Sequence, residues 1–345
     1  DVSRTPGSRD HDDRQAGDSA HQDDRGQGSR RGPLRPRGGC ETARAGRVLH
    51  AGVHGGACAH GQDDLGEGAT MSIPVGISYS GGKSSKWLIY AMLHGLLPRP
   101  EHVAVFFADT GEEHTWTYED VAQVKIDCVQ HGIEFVSCAA KVTLGDHLLS
   151  LRDSGATRSD SPSLFISDGR PGSSAARTHH KCTAYFKIAP MRRACSAWLK
   201  RIGKPKRIEK WIGFAMDEQV RATRALAKHS TKWERLEFPA IRHGRTRSMQ
   251  ADDLESWGVS VPKFSMCTFC PGKSIKRWVE TPPEQRERVF MIDEAIRDLD
   301  QIGLTEGQAF LTRYAVSIRD LIADGDRQEI LPGYETHCDG GHCFL

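Results

Sequence analysis

The sequence predicts an α/β protein with a doubly wound, mostly parallel sheet and a helical, cysteine-bearing C-terminal extension. First, residues 75–93 read as a buried strand, a glycine turn and a helix in immediate succession. Second, strand and helix patterns alternate up to residue 137, an order typical of parallel sheets covered by helices. Third, a chain of 345 residues, 38% of them hydrophobic, is long enough to bury a large core.

The first seventy residues differ in composition from the rest of the chain. They hold 14 of the 35 glycines and contain no Phe, Trp, Tyr, Ile or Met. Because so little apolar surface cannot offset the entropy of ordering, we predict that residues 1–70 are a disordered extension. The first methionine is Met71, so this extension is hypothesised to lie outside the native protein. We expect an α/β domain over residues 71–260 and a cysteine-rich helical region over residues 261–345.

Composition also narrows the class of function. The net charge of +2 is nearly neutral, which argues against a protein that binds nucleic acid over its whole surface. No apolar run approaches the length of a membrane span, and no secretory signal is visible, so we expect a cytoplasmic protein. In that reducing compartment, the ten cysteines favour metal binding over disulfides.

The first strand, Val75–Tyr79, leads directly into a loop that suits a phosphate group. Glycines let backbone N–H groups approach an anion, a helix N-terminus adds positive potential, and serine and lysine side chains supply further donors. The alternative is an ordinary turn in which the two glycines only permit tight packing. The candidate nucleotide-binding residues here are Ser80, Gly81, Gly82, Lys83, Ser84 and Ser85.

The next strand pattern, 103–108, is followed by Asp109 and Thr110. Because open α/β sheets place ligand groups at the carboxyl ends of their strands, both residues are candidates for contact with a nucleotide. A helix is predicted over residues 117–130 and a third strand over residues 133–137. The polar stretch 154–174 is predicted to be a long loop.

A later strand, 208–214, is followed by a second candidate phosphate site. Gly213 and Glu218 lie at its carboxyl end, and Arg221 and Arg224 share one helical face at a spacing suited to phosphate or sulfate. The alternative is a surface ion pair between Glu218 and Arg221, which would contribute little. Further helices are predicted over residues 282–300 and 306–323.

Cysteine spacing indicates a metal site. Two thiolates in the Cys267-x-x-Cys270 pattern can converge on one metal, and Cys182, Cys195, Cys338 and Cys343 are further candidate ligands. Zinc requires four Cys or Cys/His ligands, whereas a [4Fe-4S] cluster requires four thiolates, and spacing alone leaves both open. Cys128, Cys138 and Cys195 also suit ordinary buried positions.

Taken in order, these motifs resemble the phosphoadenosine phosphosulfate reductase family of the PP-loop, or adenine nucleotide α-hydrolase-like, superfamily. The resemblance covers residues 73–275. It rests on Ser80-Gly-Gly-x-x-Ser85, Asp109-Thr-Gly, Cys182-x4-Lys187-x2-Pro190, Gly213-x3-Asp217-Glu218-x2-Arg221 and Cys267-x2-Cys270. It implies a PP-loop fold, an adenine nucleotide as substrate, sulfur chemistry, and a [4Fe-4S] cluster held by Cys182, Cys267 and Cys270.

The sequence departs from the family in ways that bear on mechanism. Cluster-bearing relatives have adjacent cysteines where this chain has Lys181-Cys182, so a fourth ligand must come from Cys343, Cys338 or Cys195. The family nucleophile corresponds loosely to Cys338, with His342 lowering its pKa, although Cys338 and Cys343 can exchange roles. The Gly-Gly-Lys loop looks closer to relatives that cleave ATP with Mg²⁺, yet the Asp common after that lysine is Ser84 here.

Three functions follow from these features. The first is thiol-dependent reduction of an adenylyl sulfate, with Arg221 neutralising charge in the transition state and a thioredoxin-like protein as reductant. The second is an ATP-dependent sulfurtransferase that adenylates a nucleic acid or small molecule and takes sulfur from a donor, with basic residues near 200–210 and 242–247 serving a polyanion. The third is a non-catalytic, metal-stapled module that only binds nucleotide or nucleic acid.

Overall fold

The structure is a computed structural model that describes residues 73–154, 162–167, 176–204, 207–297 and 307–325. The predictions for residues 1–70 and for Cys338, His342 and Cys343 lie outside the described residues. The predicted boundary at residue 260 stays a prediction. Among the described residues, no helix combines the length and apolar character needed to cross a membrane.

A parallel five-stranded sheet forms the centre of the described chain. The strands are β1 (Val75–Tyr79), β2 (Val103–Asp109), β3 (Glu134–Ala139), β6 (Ile208–Ile212) and β7 (Glu234–Glu237). Their order is β3-β2-β1-β6-β7, and every neighbouring pair is parallel. The chain therefore winds from β1 to one edge and returns to fill the other, which confirms the predicted fold class.

The described chain contains ten α-helices. They are α1 (Lys83–Leu93), α2 (Thr115–Gln130), α3 (Leu144–Ser154), α4 (Ala189–Arg201), α5 (Gln219–His229), α6 (Pro239–Arg242), α7 (Arg247–Ser256), α8 (Ile275–Val279), α9 (Pro283–Ala295) and α10 (Ile318–Gly325). Ile77, Tyr79 and Trp211 point from their strands into a core with α1, whereas Phe106 and Ile208 pack against Trp198 of α4 on the opposite face. Alternate side chains of a strand face opposite sides of a sheet, so both faces bury apolar surface.

A small antiparallel sheet lies apart from the main one. It consists of β4 (Phe165–Ser167), β5 (Ala176–Arg177) and β8 (Gln308–Phe310), in the order β5-β4-β8. The prediction of an uninterrupted loop over residues 154–174 was therefore wrong at β4.

The helix predicted over residues 306–323 was also wrong, because the chain forms β8 and then α10. Gly307 has a φ of +100°, and a Cβ there would lie 2.4 Å from the carbonyl oxygen of Ser167. This close approach of two backbones pairs β8 with β4 and interrupts any helix. A short apolar run does not distinguish the two states by periodicity alone.

The cysteine motif belongs to a second apolar core. Leu144 and Leu148 of α3 pack there with Phe269, Trp278 of α8 and Val289 of α9. The predicted C-terminal helical region is thus present in α8, α9 and α10, and it packs against α3 from the α/β region.

Candidate functional site

The loop after β1 is held in one conformation by its own hydrogen bonds. Ser85 Oγ lies 3.1 Å from Ser80 Oγ, accepts a hydrogen bond from the Ser80 N–H at 3.2 Å and donates to the Gly82 carbonyl at 3.0 Å. Gly81 has a φ of +74°, which favours glycine, and a Cβ there would lie 2.5 Å from Thr117. The first turn of α1 follows at Lys83, so its N-terminal N–H groups face the loop.

This loop lies at the point where the strand order of the sheet reverses. β1 pairs with β2 on one side and with β6 on the other, although β6 is far away in sequence. Open α/β sheets bind ligands in the crevice at such a switch point. Gly213, directly after β6, approaches the loop so closely that a Cβ would lie 2.5 Å from the Ser85 nitrogen.

A cavity of about 720 Å³ opens at this switch point. Its walls include five of the six predicted loop residues, all except Gly81, together with Gly213, Glu218 and Arg221. Nine cationic side chains line it against three carboxylates. The cations are Lys83, Lys187, Arg192, Lys210, Arg221, Arg247, Lys263, Lys276 and Arg277, and the carboxylates are Glu218, Glu234 and Glu280. The site is therefore strongly electropositive although the chain is nearly neutral.

Glu218 organises two of the arginines. Its Oε1 accepts hydrogen bonds from Arg221 at 2.7 Å and from Arg247 at 2.8 Å, and its Oε2 accepts from the Ala215 N–H at 3.1 Å. Burial by itself would raise the pKa of Glu218, but the hydrogen bonds from Arg247 and Ala215 hold it below the ordinary value. The Arg221 guanidinium also lies over the Phe214 ring at 4.4 Å, so the group is held in place. Arg224 is exposed and does not line the cavity.

Asp109 and Thr110 do not line this cavity. Asp109 accepts hydrogen bonds from the Gly111 N–H at 2.7 Å and from the Tyr118 hydroxyl at 2.9 Å. Thr110 is buried, with its Oγ1 3.2 Å from Glu113 and 3.3 Å from the Cys267 sulfur. The structure thus places Thr110 beside the cysteine motif instead of beside the loop.

A π-helical turn, Thr183–Ile188, joins the cysteines to the cavity. Thr183, Lys187 and Ile188 of this turn all line the cavity wall. Lys187 also forms an ion pair with the buried Glu113 at 3.3 Å, and the Cys267 thiol lies 3.8 Å from the same carboxylate. Turns of this kind are frequent at functional sites because they alter the direction of side chains within a helix.

Cys182, Cys267 and Cys270 contribute to the same apolar core beside the cavity. Burial and the neighbouring Cys270 raise the pKa of Cys182 to about 12. The pKa of Cys267 is raised well above its usual value by burial and by Glu113. Without a positive partner these thiols would therefore remain protonated at neutral pH.

Lys273 supplies positive charge next to this cluster. Its side chain is 3% exposed, and its Nζ donates to the Thr268 carbonyl and to Thr281 Oγ1. Burial lowers its pKa to about 7, whereas Cys270 and Cys267 act in the opposite direction. Glu280 also acts to raise the pKa of Lys273, whereas Arg277 acts to lower it.

Cys182, Cys267 and Cys270 are candidate ligands for an iron–sulfur cluster or for a zinc ion. Within the described ranges, no three His, Cys, Asp or Glu side chains converge on one metal position. Zinc requires such convergence, whereas each thiolate of a [4Fe-4S] cluster binds a different iron and the ligands lie further apart.

The other candidate cysteines lie elsewhere or outside the described chain. Cys195 is buried with Phe106 and Trp198, in a different core cluster from the three cysteines above. Cys128 is buried against α1, which is the ordinary core position expected for it. A fourth ligand from Cys338 or Cys343 stays a prediction.

Sequence reasoning missed several residues of the cavity. Lys187 was noted only as part of a motif, and no sequence pattern marked Arg192, Lys263 or Arg277 as cavity residues. Lys210 did carry one, because a lysine inside the apolar strand β6 is unusual unless it lines a polar space.

Comparisons with known proteins find similarity among solved structures. No protein-family model matches the chain, and no curated protein matches it significantly. Among solved structures, the U34-tRNA thiolase NcsA from Methanococcus maripaludis with its [4Fe-4S] cluster is similar over 74% of this chain and 72% of that one. The sequence identity is 14% and the TM-score is 0.33.

Proposed function

We propose that this chain is an adenine-nucleotide-dependent sulfurtransferase that uses ATP to activate an acceptor oxygen and replaces that oxygen with sulfur. One observation carries the proposal: a strongly electropositive cavity at the switch point of the sheet directly adjoins three buried thiols.

The polarity of the cavity favours ATP over an adenylyl sulfate. A triphosphate carries more negative charge than a phosphosulfate, and nine cations face the cavity. Lys83 lines the wall at the first turn of α1, where it supplements the helix N-terminus in binding phosphate. The residues that we assign to nucleotide binding are Ser80, Gly81, Gly82, Lys83, Ser84, Ser85, Gly213 and Glu218.

The chemistry takes place in two balanced steps. The acceptor oxygen attacks the α-phosphorus of ATP, the α–β bridging bond breaks, and pyrophosphate leaves with Mg²⁺. A sulfur nucleophile from a donor then attacks the activated carbon, and the oxygen leaves as part of AMP. Neither step oxidises or reduces the acceptor, so activation by ATP and replacement of oxygen by sulfur need no external reductant.

The residues of this chain have separate roles in those steps. Arg221, held by Glu218 and Phe214, is placed to neutralise charge that develops on the phosphates. Lys187 extends between the cavity and the thiols, and its ion pair with Glu113 fixes its position. When bound by Cys182, Cys267 and Cys270, an iron–sulfur cluster would supply iron that can hold the incoming sulfur.

The exposed lysines at the cavity suit an anionic acceptor. Lys263 and Lys276 are both exposed and both line the cavity, so they can meet a charged molecule at its entrance. A nucleic acid or an anionic small molecule is the acceptor class that this charge favours.

The test is cleavage of ATP by the full chain purified without oxygen. ATP labelled at the α-phosphate is supplied with Mg²⁺, sulfide and total cellular RNA, and iron and acid-labile sulfide are measured in the same preparation. We expect pyrophosphate and AMP to form, with loss of at least about tenfold in Lys83→Ala and Arg221→Ala, and loss of iron in Cys182→Ala.

Two other results would contradict the proposal. Release of sulfite and AMP from an adenylyl sulfate in the presence of a thiol, without ATP cleavage, would support the reductase hypothesis instead. Nucleotide binding with no turnover of ATP or of an adenylyl sulfate would support the non-catalytic module instead.

A further inference from the structure

One wall of the cavity is formed by residues 262–266 together with α8. This wall adjoins the loop after β1, because Ser265 Oγ donates a hydrogen bond to the Ser80 carbonyl. Three cations and one carboxylate belong to it: Lys263, Lys276, Arg277 and Glu280. The wall therefore has an excess of positive charge, and a molecule bound along it would have one end beside the loop that we assign to phosphate binding.

Two cations of this wall lie over aromatic rings. Lys263 Nζ is 4.9 Å from the centre of the Trp116 ring, and the Arg277 guanidinium is 4.8 Å from the centre of the Phe264 ring. The ring centroids are 5.3 Å apart, and Trp116 Nε1 donates to the Phe264 carbonyl at 3.1 Å. Lys263, Phe264 and Arg277 line the cavity, whereas Trp116 does not. The two pairs thus form one surface that starts in the cavity and continues outside it.

The rings of this surface are fixed in place by packing. The buried His114 stacks on Trp116 with the ring centroids 4.2 Å apart, and its ring is also edge-on to Phe264 at 5.3 Å. Trp116 and Phe264 are themselves half-buried, whereas Lys263 is exposed. Because rings held in this way lose little further freedom on binding, a ligand that contacts them has a low entropic cost of association.

The combination of rings and cations suits a single-stranded nucleic acid. Proteins bind unpaired bases by stacking them on aromatic rings and guanidinium planes, and they bind the backbone phosphates through lysine and arginine. A small anion could use the charges of this wall but not its rings, whereas a nucleic acid uses both. A recess also favours an unpaired base, because a base inside a duplex must leave the stack before an enzyme can reach it.

We propose that this surface binds single-stranded nucleic acid as the acceptor of sulfur. An unpaired base stacks against the Arg277–Phe264 pair, and backbone phosphates contact Lys263 and Lys276. The proposal rests on the proposed function, because it names the acceptor class of that same reaction. The contact between Ser265 and Ser80 places the bound base next to the loop, where ATP activates its oxygen.

The experiment measures binding of two ligands to the full chain. A fluorescent oligouridylate of about 12 nucleotides reports on the proposed surface, and inorganic tripolyphosphate reports on the loop. Arg277→Lys keeps the charge but loses the planar guanidinium, and Lys263→Gln is a second variant in case Arg277→Lys does not fold. Lys232→Gln is the matched control, because Lys232 lies over Trp233 at 5.1 Å and neither residue lines the cavity.

We expect Arg277→Lys to weaken oligouridylate binding at least about fivefold and to leave tripolyphosphate affinity unchanged. Lys263→Gln should also weaken oligouridylate binding, and it should reduce the slope of log affinity against log salt concentration by about 0.7, the contribution of one phosphate contact. Lys232→Gln should change neither affinity. Oligothymidylate, measured in parallel, distinguishes DNA from RNA as the source of the strand.

Undiminished oligouridylate binding in both Arg277→Lys and Lys263→Gln would overturn the proposal. Equally tight binding of a duplex of the same length, or of a base-free polyphosphate of the same charge, would also overturn it. If the wild type cleaves ATP but does not bind the oligonucleotides, this proposal fails and the proposed function stands. If it binds them at this surface but never cleaves ATP, the proposed function fails and the binding surface remains.

Discussion

At the scale of single residues, Gly213 shows how the absence of a side chain creates the site. The backbone of Gly213 lies against Ser84 and Ser85, and a Cβ would lie 2.5 Å from two of their backbone atoms. Since backbone atoms cannot rotate out of the way, any larger residue must displace the phosphate loop.

Gly213→Ala is therefore expected to reduce tripolyphosphate affinity at least about tenfold and to lower the free energy of unfolding by about 1–3 kcal/mol. Calorimetric titration and urea denaturation measure the two effects. The control is Gly203→Ala, where φ is +68° and no atom lies within 4 Å. It should cost about 1 kcal/mol in stability and leave affinity unchanged. Wild-type affinity in Gly213→Ala would contradict the role assigned to this contact.

His114 is a buried histidine whose environment predicts acid lability. It is 0% exposed, stacks on Trp116 at 4.2 Å and meets the edge of Phe264. Burial, aided by Lys273, lowers its pKa to about 3. Between that value and the unfolded pKa of about 6.5, the unfolded chain binds the proton and the folded chain does not, so stability falls as pH falls.

We expect this histidine to remove about 2 kcal/mol of stability between pH 7 and pH 5. Urea denaturation of His114→Phe should show a pH dependence weakened by that amount, because phenylalanine preserves the ring contacts but cannot titrate. His243→Phe, at an exposed position, is the control. If His114→Phe has the same pH dependence of stability as the wild type, another group is responsible for that dependence.

At the scale of elements, an ion cluster around the buried Glu112 joins α9 to the segment between β2 and α2. Arg288 of α9 binds Glu112 through two nitrogens, with Nε 3.0 Å from Oε1, and also reaches Asp146 of α3 at 2.9 Å. Glu112 is 4% exposed, and its carbonyl accepts the Thr268 N–H at 2.7 Å, within the cysteine motif. The cluster thus positions the polypeptide that carries Glu113 and Cys267.

Arg288→Met leaves the Glu112 carboxylate buried without its main partner, so we expect a loss of about 2–3 kcal/mol in unfolding free energy. The double variant Glu112→Gln with Arg288→Met should recover part of this loss, because the uncompensated charge is gone. Arg319→Met on α10 breaks exposed ion pairs with α9 and keeps an aliphatic side chain over Phe290, so it should cost less than about 0.5 kcal/mol. An equal loss of unfolding free energy in Arg288→Met and Arg319→Met would show that the burial of Glu112 does not determine the strength of this contact.

At the scale of the whole molecule, one cavity holds an excess of positive charge in a chain that is nearly neutral. The chain carries a net charge of only +2, yet nine cations and three carboxylates line one cavity. A recess walled by protein concentrates the field of such a group and attracts anions.

Tripolyphosphate affinity should therefore fall several-fold between about 50 mM and about 500 mM KCl, because added salt shortens the distance over which charges interact. Arg247→Gln, in the cavity wall, should weaken affinity and reduce the salt dependence. Lys200→Gln, in the basic stretch outside the cavity, should change neither. A larger loss of tripolyphosphate affinity in Lys200→Gln than in Arg247→Gln would indicate that the anion binds at that basic stretch instead.

The sequence by itself determined the parallel α/β architecture and the first strand to the residue, and it singled out Gly213, Glu218 and Arg221, which line the cavity. These rest on local patterns, since strand alternation, glycine turns and helix starts depend on residues close together in the chain. The tertiary structure decided what depends on distant pairs. Gly307 meeting Ser167 made β8 a strand where a helix was expected, and the fold brought Cys182 to Cys267 and Cys270. The cavity also belongs to the tertiary structure, because a cavity is set by the packing of separate elements and no local pattern encodes it.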